Sequence, residues 1–148
     1  MTKKILNILL ADDDSADRLL FKEAFNELKI ETKVETVFDG VELMNYLLND
    51  ANTLPDLLFL DLNMPRKNGL ECLKEIRNNE KIKDISIAIY STSSSEKDIE
   101  ETFLNGANVY VNKPNDYFEL LKVLEKAVKV AYLFQDKSFK KENFLLRV

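Results

Sequence analysis

Four stretches of this sequence end on residue types that can handle a phosphate and a divalent cation. Asp12, Asp13 and Asp14 follow an apolar run that ends at Ala11, and Asp61 follows Leu57-Leu58-Phe59-Leu60. Ser91 and Thr92 follow Ile85–Tyr90, and Asn112, Lys113 and Pro114 follow Val109–Val111. Carboxylates brought together repel and raise one another's pKa, a conflict that a bound cation removes. Only oxygen ligands are on offer, so a hard ion such as Mg²⁺ is expected, held by Asp12, Asp13 and Asp61. A carboxylate at the end of a rigid apolar strand can act as a nucleophile and form an acyl phosphate, the role expected of Asp61. Lys113 brings a positive charge for one phosphoryl oxygen, and the Ser91 hydroxyl can donate to another. Asp14, just before Ser15 and a helical pattern, reads as a cap. Any one of these residues could be an ordinary solvated acid or half of a salt bridge. The acid–acid–hydroxyl–lysine set on four strand ends is the informative feature.

The elements that must position this set are legible as well. Short continuous apolar runs at Ile5–Ala11, Lys33–Phe38, Leu57–Leu60, Ile85–Tyr90 and Val109–Val111 read as strands buried on both faces. Helical periodicity separates them. Ser15–Leu28 places Leu20, Ala24 and Leu28 on one stripe, and Val41–Leu48, Gly69–Asn78, Glu96–Asn105 and Phe118–Phe134 follow. Five βα units in series predict an α/β fold: a doubly wound, five-stranded parallel sheet with helices on both faces. Ligands then bind at the carboxyl ends of the strands, where the polar set falls. The last helix carries two apolar stripes, Leu120/Leu124/Val128/Ala131 and Val123/Ala127/Val130/Phe134. One stripe covers a sheet. The second calls for the tail residues Phe139, Phe144, Leu145 and Leu146, a second copy, or a kinase.

Composition narrows the function classes. The chain has 148 residues, 45% hydrophobic and 32% charged, with a net charge of -5. That is one ordinary domain able to bury a core. The acidic balance argues against direct nucleic-acid binding. Histidine is absent, which excludes histidine acid–base catalysis, histidine metal sites and a phosphohistidine on this chain. A single cysteine, Cys72, forms no internal disulfide and, with Leu70 and Leu73 beside it, reads as helix packing. No apolar run reaches bilayer length, and the polar start is unlike a signal peptide. A cytoplasmic location without membrane contact is the expectation.

With these residues in view, the sequence resembles the receiver domains of bacterial two-component response regulators. The matching pieces are Ile8-Leu9-Leu10-Ala11-Asp12-Asp13, Phe38-Asp39-Gly40-Val41-Glu42-Leu43 and Leu60-Asp61-Leu62-Asn63-Met64-Pro65 with Gly69. Ile89-Tyr90-Ser91-Thr92, Asn105-Gly106-Ala107 and Tyr110-Val111-Asn112-Lys113-Pro114 complete the set over roughly residues 5–131. The resemblance implies a flavodoxin-like, CheY-like receiver over residues 1–134 with an extension over 135–148. It implies Asp61 as phospho-acceptor, Asp12 and Asp13 as the acidic metal pair, and Asn63 as a main-chain metal ligand. Ser91 becomes the hydroxyl that follows the phosphoryl group, Lys113 the partner lysine, and Tyr110 the aromatic switch. The Lys113–Pro114 bond is implied to be cis.

The resemblance thus implies a switch, not a metabolic enzyme. It would take a phosphoryl group from a sensor histidine kinase with Mg²⁺, catalyse its own phosphorylation and dephosphorylation, and signal to a downstream protein. The Leu60–Gly69 loop and the Ser91–Ser95 stretch are similar to single-domain regulators that pair with phytochrome-type kinases and often form homodimers. Arg66, Lys67 and Tyr90 depart from the pattern near the pocket. A phosphatase of the haloacid-dehalogenase type needs an acid where Asn63 stands. A flavin carrier would be repelled by Asp12-Asp13-Asp14. An unphosphorylated receiver-like interaction module stays open as the alternative.

Overall fold

The computed structural model describes residues 5–133 and 145–146. The elements alternate: β1 (Leu6–Ala11), α1 (Ser15–Glu27), β2 (Thr32–Val37), α2 (Gly40–Leu48), β3 (Leu57–Leu60) and α3 (Gly69–Arg77). After them come β4 (Ile87–Ser91), α4 (Glu96–Leu104), β5 (Val109–Asn112), α5 (Tyr117–Leu133) and β6 (Leu145–Leu146). The helices start where side chains can take up orphaned amides. Asp14 caps α1 through the Asp17 N–H, Asp39 caps α2 through Glu42, and Ser95 caps α4 through Asp98. Asn68 and Glu71 form a reciprocal capping box on α3.

All strand pairs are parallel, in the order β2-β1-β3-β4-β5-β6. The expected five-stranded doubly wound sheet is present. The sixth strand, two residues of the tail paired with Tyr110 and Val111, had not been foreseen. The remainder of the 135–148 extension, and Phe134, Phe139 and Phe144, lie outside the described residues. Side chains fill both faces. Leu9, Leu58, Leu60 and Ile89 pack with α2, α3 and α4 on one face, and Ile8, Leu10, Phe59 and Val111 with α1 and α5 on the other.

Three details differ from the sequence reading. The buried stripe of α1 is Phe21, Ala24 and Phe25, while Leu20 is exposed and Leu28 half-buried. Rotating the helix by about one residue buries two aromatic rings against Phe59 and Tyr90, a larger gain than burying Leu20. β2 is an edge strand with alternating exposure rather than a strand buried on both sides. On α5, Val123 and Ala127 are buried together with Leu120, Leu124 and Val128 in the same core. The helix packs on the sheet beside α1, with Val130 half-buried against the same core, while Phe134 of the second stripe lies outside the described residues.

Candidate functional site

The carboxyl ends of β1, β3, β4 and β5 meet, as the spacing required. Carboxylate oxygens of Asp12, Asp13 and Asp61 lie within 4.8 Å of one another. Asp12 and Asp61 are buried and Asp13 is exposed, so the cluster opens to solvent on one side. Three oxygen donors at that separation fit a hard divalent ion that keeps several waters, and among the described residues no cysteine joins the cluster to favour a softer metal.

The cluster's counter-charge is Lys113. Its ammonium donates to Asp12 at 2.7 Å and to Asp17 at 3.0 Å, and lies 3.4 Å from Asp61. It also sits 5.1 Å from the centre of the Tyr90 ring, which forms part of its floor. Burial alone would depress the lysine's pKa. The hydrogen bond to Asp12 and the charges of Asp61 and Asp12 outweigh it and raise the pKa above the ordinary value. Asp61 moves the other way for an acid. Burial pushes its pKa up to about 6 against the pull of Lys113, and the Asp12 charge adds to the rise.

Local backbone holds each group. The Asp14 amide donates to Asp12 at 2.9 Å, and the Asn63 amide donates to Asp61 at 3.2 Å. Arg18 reaches the Asp12 carbonyl at 2.8 Å. Asn63 itself is exposed on the loop that leaves Asp61. That loop turns back so tightly that a side chain on Gly69 would collide with the Asp61 carbonyl. Ser91 is fully buried, and its hydroxyl accepts from the Ser93 amide at 3.1 Å. Tyr110 is fully buried, its hydroxyl donating to the Ser93 carbonyl at 2.9 Å, an oxygen it shares with the Asn112 amide group. The aromatic ring named as a switch is therefore packed inward here, beside the β4–α4 loop.

One expectation is corrected. No peptide bond among the described residues is cis, so Lys113–Pro114 is trans. Trans is the lower-energy isomer of an X–Pro bond by about 0.5–1 kcal/mol.

The departures find ordinary partners. Arg66 turns away from the acidic cluster to Asp39, Lys67 pairs with Glu75, and Tyr90 packs under Lys113. Cys72 is buried with its thiol pushed up to about 12 by burial, as helix packing implies. Sequence reasoning missed Asp17, the third acid on Lys113. Its signal was its place in the first turn of α1, one turn beyond Asp13 and Asp14 on the same sheet edge. It also missed Asp39, whose signal was an acid directly before a helical glycine.

With this geometry established, likeness to known proteins becomes interpretable. The Response regulator Rcp1 of Synechocystis is 31% identical over 122 residues, covering 80% of this chain and 83% of that protein. The probable methanogenesis regulatory protein FilR2 of Methanothrix harundinacea is 30% identical, covering 80% and 79%. Among solved structures, the phosphorylated cyanobacterial phytochrome response regulator RcpA superposes with a TM-score of 0.80 at 34% identity, covering 87% of this chain and 95% of that one. The Mn²⁺-bound form of Rcp1 gives 0.75 at 30% identity, covering 82% and 90%. Residues 8–125 match the response regulator receiver domain, and the chain belongs to that family.

Proposed function

We propose that this receiver accepts a phosphoryl group on Asp61 with Mg²⁺ bound by Asp12, Asp13, Asp61 and the Asn63 carbonyl, and changes its protein-binding surface in response. The observation that carries this reading is the convergence of the Asp12, Asp13 and Asp61 carboxylates within 4.8 Å of one another, two of them also held by the Lys113 ammonium, 2.7 Å from Asp12 and 3.4 Å from Asp61. When bound, the metal neutralises charge on the transferred group. The chain's own residues do the rest. Asp61 presents an oxygen from the end of a rigid strand for in-line attack, and Lys113 pairs with a phosphoryl oxygen as the acyl phosphate forms. Ser91 then donates to another oxygen, which rearranges its contact with Ser93 and so the loop that Tyr110 holds. Both local states exist as a two-state equilibrium that the new contacts bias.

The donor in this reading is a phosphohistidine on a sensor kinase. The likeness to phytochrome response regulators makes a phytochrome-type kinase the first to test. The signal passes on by contact with a downstream protein. Incubation with a small phosphodonor and Mg²⁺, followed by intact mass, tests the reading. The expected result is the mass gain of one phosphoryl group, lost in Asp61→Asn. No gain in the wild-type protein would leave an unphosphorylated interaction module instead.

A further inference from the structure

We infer that Arg66 is a positioning residue for the metal-binding loop, acting through an ion pair with Asp39. The inference rests on the metal site proposed above. Among the described residues, Arg66 is the one non-glycine residue with a positive φ, 65°. The Lys67 amide donates to the Pro65 carbonyl across it at 2.7 Å, closing a three-residue γ-turn in the rarer, strained hand. Such conformations persist only where the surroundings over-determine them, and they gather at functional sites. The surroundings here are specific. The Arg66 guanidinium donates to one Asp39 oxygen through Nε at 2.9 Å and through Nη2 at 2.6 Å. Asp39 is only 1% exposed, and its other oxygen caps α2 through the Glu42 amide. The same turn lies against Gly40, where a side chain would collide with the Lys67 carbonyl.

The strained turn is thus pinned to the start of α2, five residues beyond Asp61 in the short loop that also carries Asn63. That loop is bounded by the Asn63 bond to Asp61 and by the Gly69 amide on the Leu62 carbonyl, 3.0 Å. A loop fixed at both ends and pinned in its middle presents its metal-facing backbone preformed. Freed at Arg66, the turn relaxes and the backbone beside Asp61 loses its fixed placement. The supporting shell around metal ligands commonly sets affinity by this route.

Mn²⁺ titration read by electron paramagnetic resonance, on folded full-length variants, tests the inference. Arg66→Gly accepts the positive φ freely and deletes the pin. Asp39→Asn keeps the helix cap and deletes the charge. These substitutions remove charges of opposite sign, so a simple field effect would move Mn²⁺ affinity in opposite directions. Loss of positioning weakens binding in both, by about tenfold, with the double variant no worse than either single. Amide exchange of residues 62–68 in metal-free protein rises in the same variants, and Arg66→Lys recovers part of both effects. Wild-type affinity or unchanged exchange in either folded single variant overturns the inference and leaves the metal site standing. A wild-type protein that binds no Mn²⁺ overturns the metal site and this inference with it.

Discussion

The Lys113 ammonium stands closer to Asp12, at 2.7 Å, than to Asp61, at 3.4 Å. The cation proposed to pair with a phosphoryl oxygen is therefore held first by Asp12 and only then by Asp61, the proposed acceptor. Replacing Lys113 with Ala strands buried Asp12 and Asp61 without a counter-charge. The expected cost is about 3 kcal/mol in the presence of a chelator, shrinking when Mg²⁺ is added, together with loss of the phosphodonor adduct. Urea unfolding with and without Mg²⁺ measures it. Equal destabilisation in both conditions would contradict the shared role of lysine and metal.

Asp61 makes the metal-free protein sensitive to pH in an unusual direction for an acid. Its folded pKa, about 6, lies above the ordinary 3.8, so the native state holds the proton more tightly than the unfolded chain does. Its contribution is fully present below pH ~4 and lost as pH rises through ~6. A decline of about 1–3 kcal/mol is expected over that interval in chelator-treated protein. It should be absent from Asp61→Asn, which is the more stable protein at neutral pH. Chemical denaturation at a series of pH values gives the comparison.

Tyr110→Phe removes one hydrogen bond to the Ser93 carbonyl and leaves Asn112 to satisfy that oxygen. The expected loss is about 1 kcal/mol. Tyr110→Ala instead opens a cavity in the core and costs about 3–5 kcal/mol. Similar losses in the two variants would show that the hydroxyl, not the ring, anchors this strand.

Cys72 should resist thiol reagents in the native protein, because its sulfur is buried and its pKa is pushed up to about 12 by desolvation. Labelling followed by mass spectrometry should proceed only at the rate of opening. Rapid native labelling would contradict its burial against Gly40.

Arg77→Ala should cost about 3 kcal/mol or more. The guanidinium donates to the carbonyls of Gly106, Lys83 and Ile85 and to the Asn108 side chain, at 2.7–2.9 Å. Phosphodonor labelling of the folded fraction should stay at the wild-type level, since these contacts lie at the amino ends of β4 and β5. Denaturant midpoint and adduct yield separate the two effects.

The runs of β1, β3, β4 and β5 and the residues at their ends were legible because strands buried on both faces demand unbroken apolar runs, and the polar residue closing each run is conspicuous; the edge position of β2 was not. The rotation of α1 was not. Leu20 and Phe21 suit helical stripes about equally, and only the ring cluster with Phe59 and Tyr90 decides between them. The Asp39–Arg66 pair spans 27 positions and depends on a backbone turn that no periodicity encodes. Likewise, β6 is too short for any pattern to announce it. What sequence spacing conveys is which groups reach the same edge. The distances between them come from loops whose conformation is set by tertiary contact.

The Arg77 guanidinium gathers oxygens from separate segments at one pole of the sheet, while the acids, the hydroxyl and the lysine stand at the other. This arrangement divides labour between two ends of one scaffold. Arg77 can therefore be removed without touching a side chain of the acidic cluster, whereas Lys113 serves both that cluster and the stability of the fold.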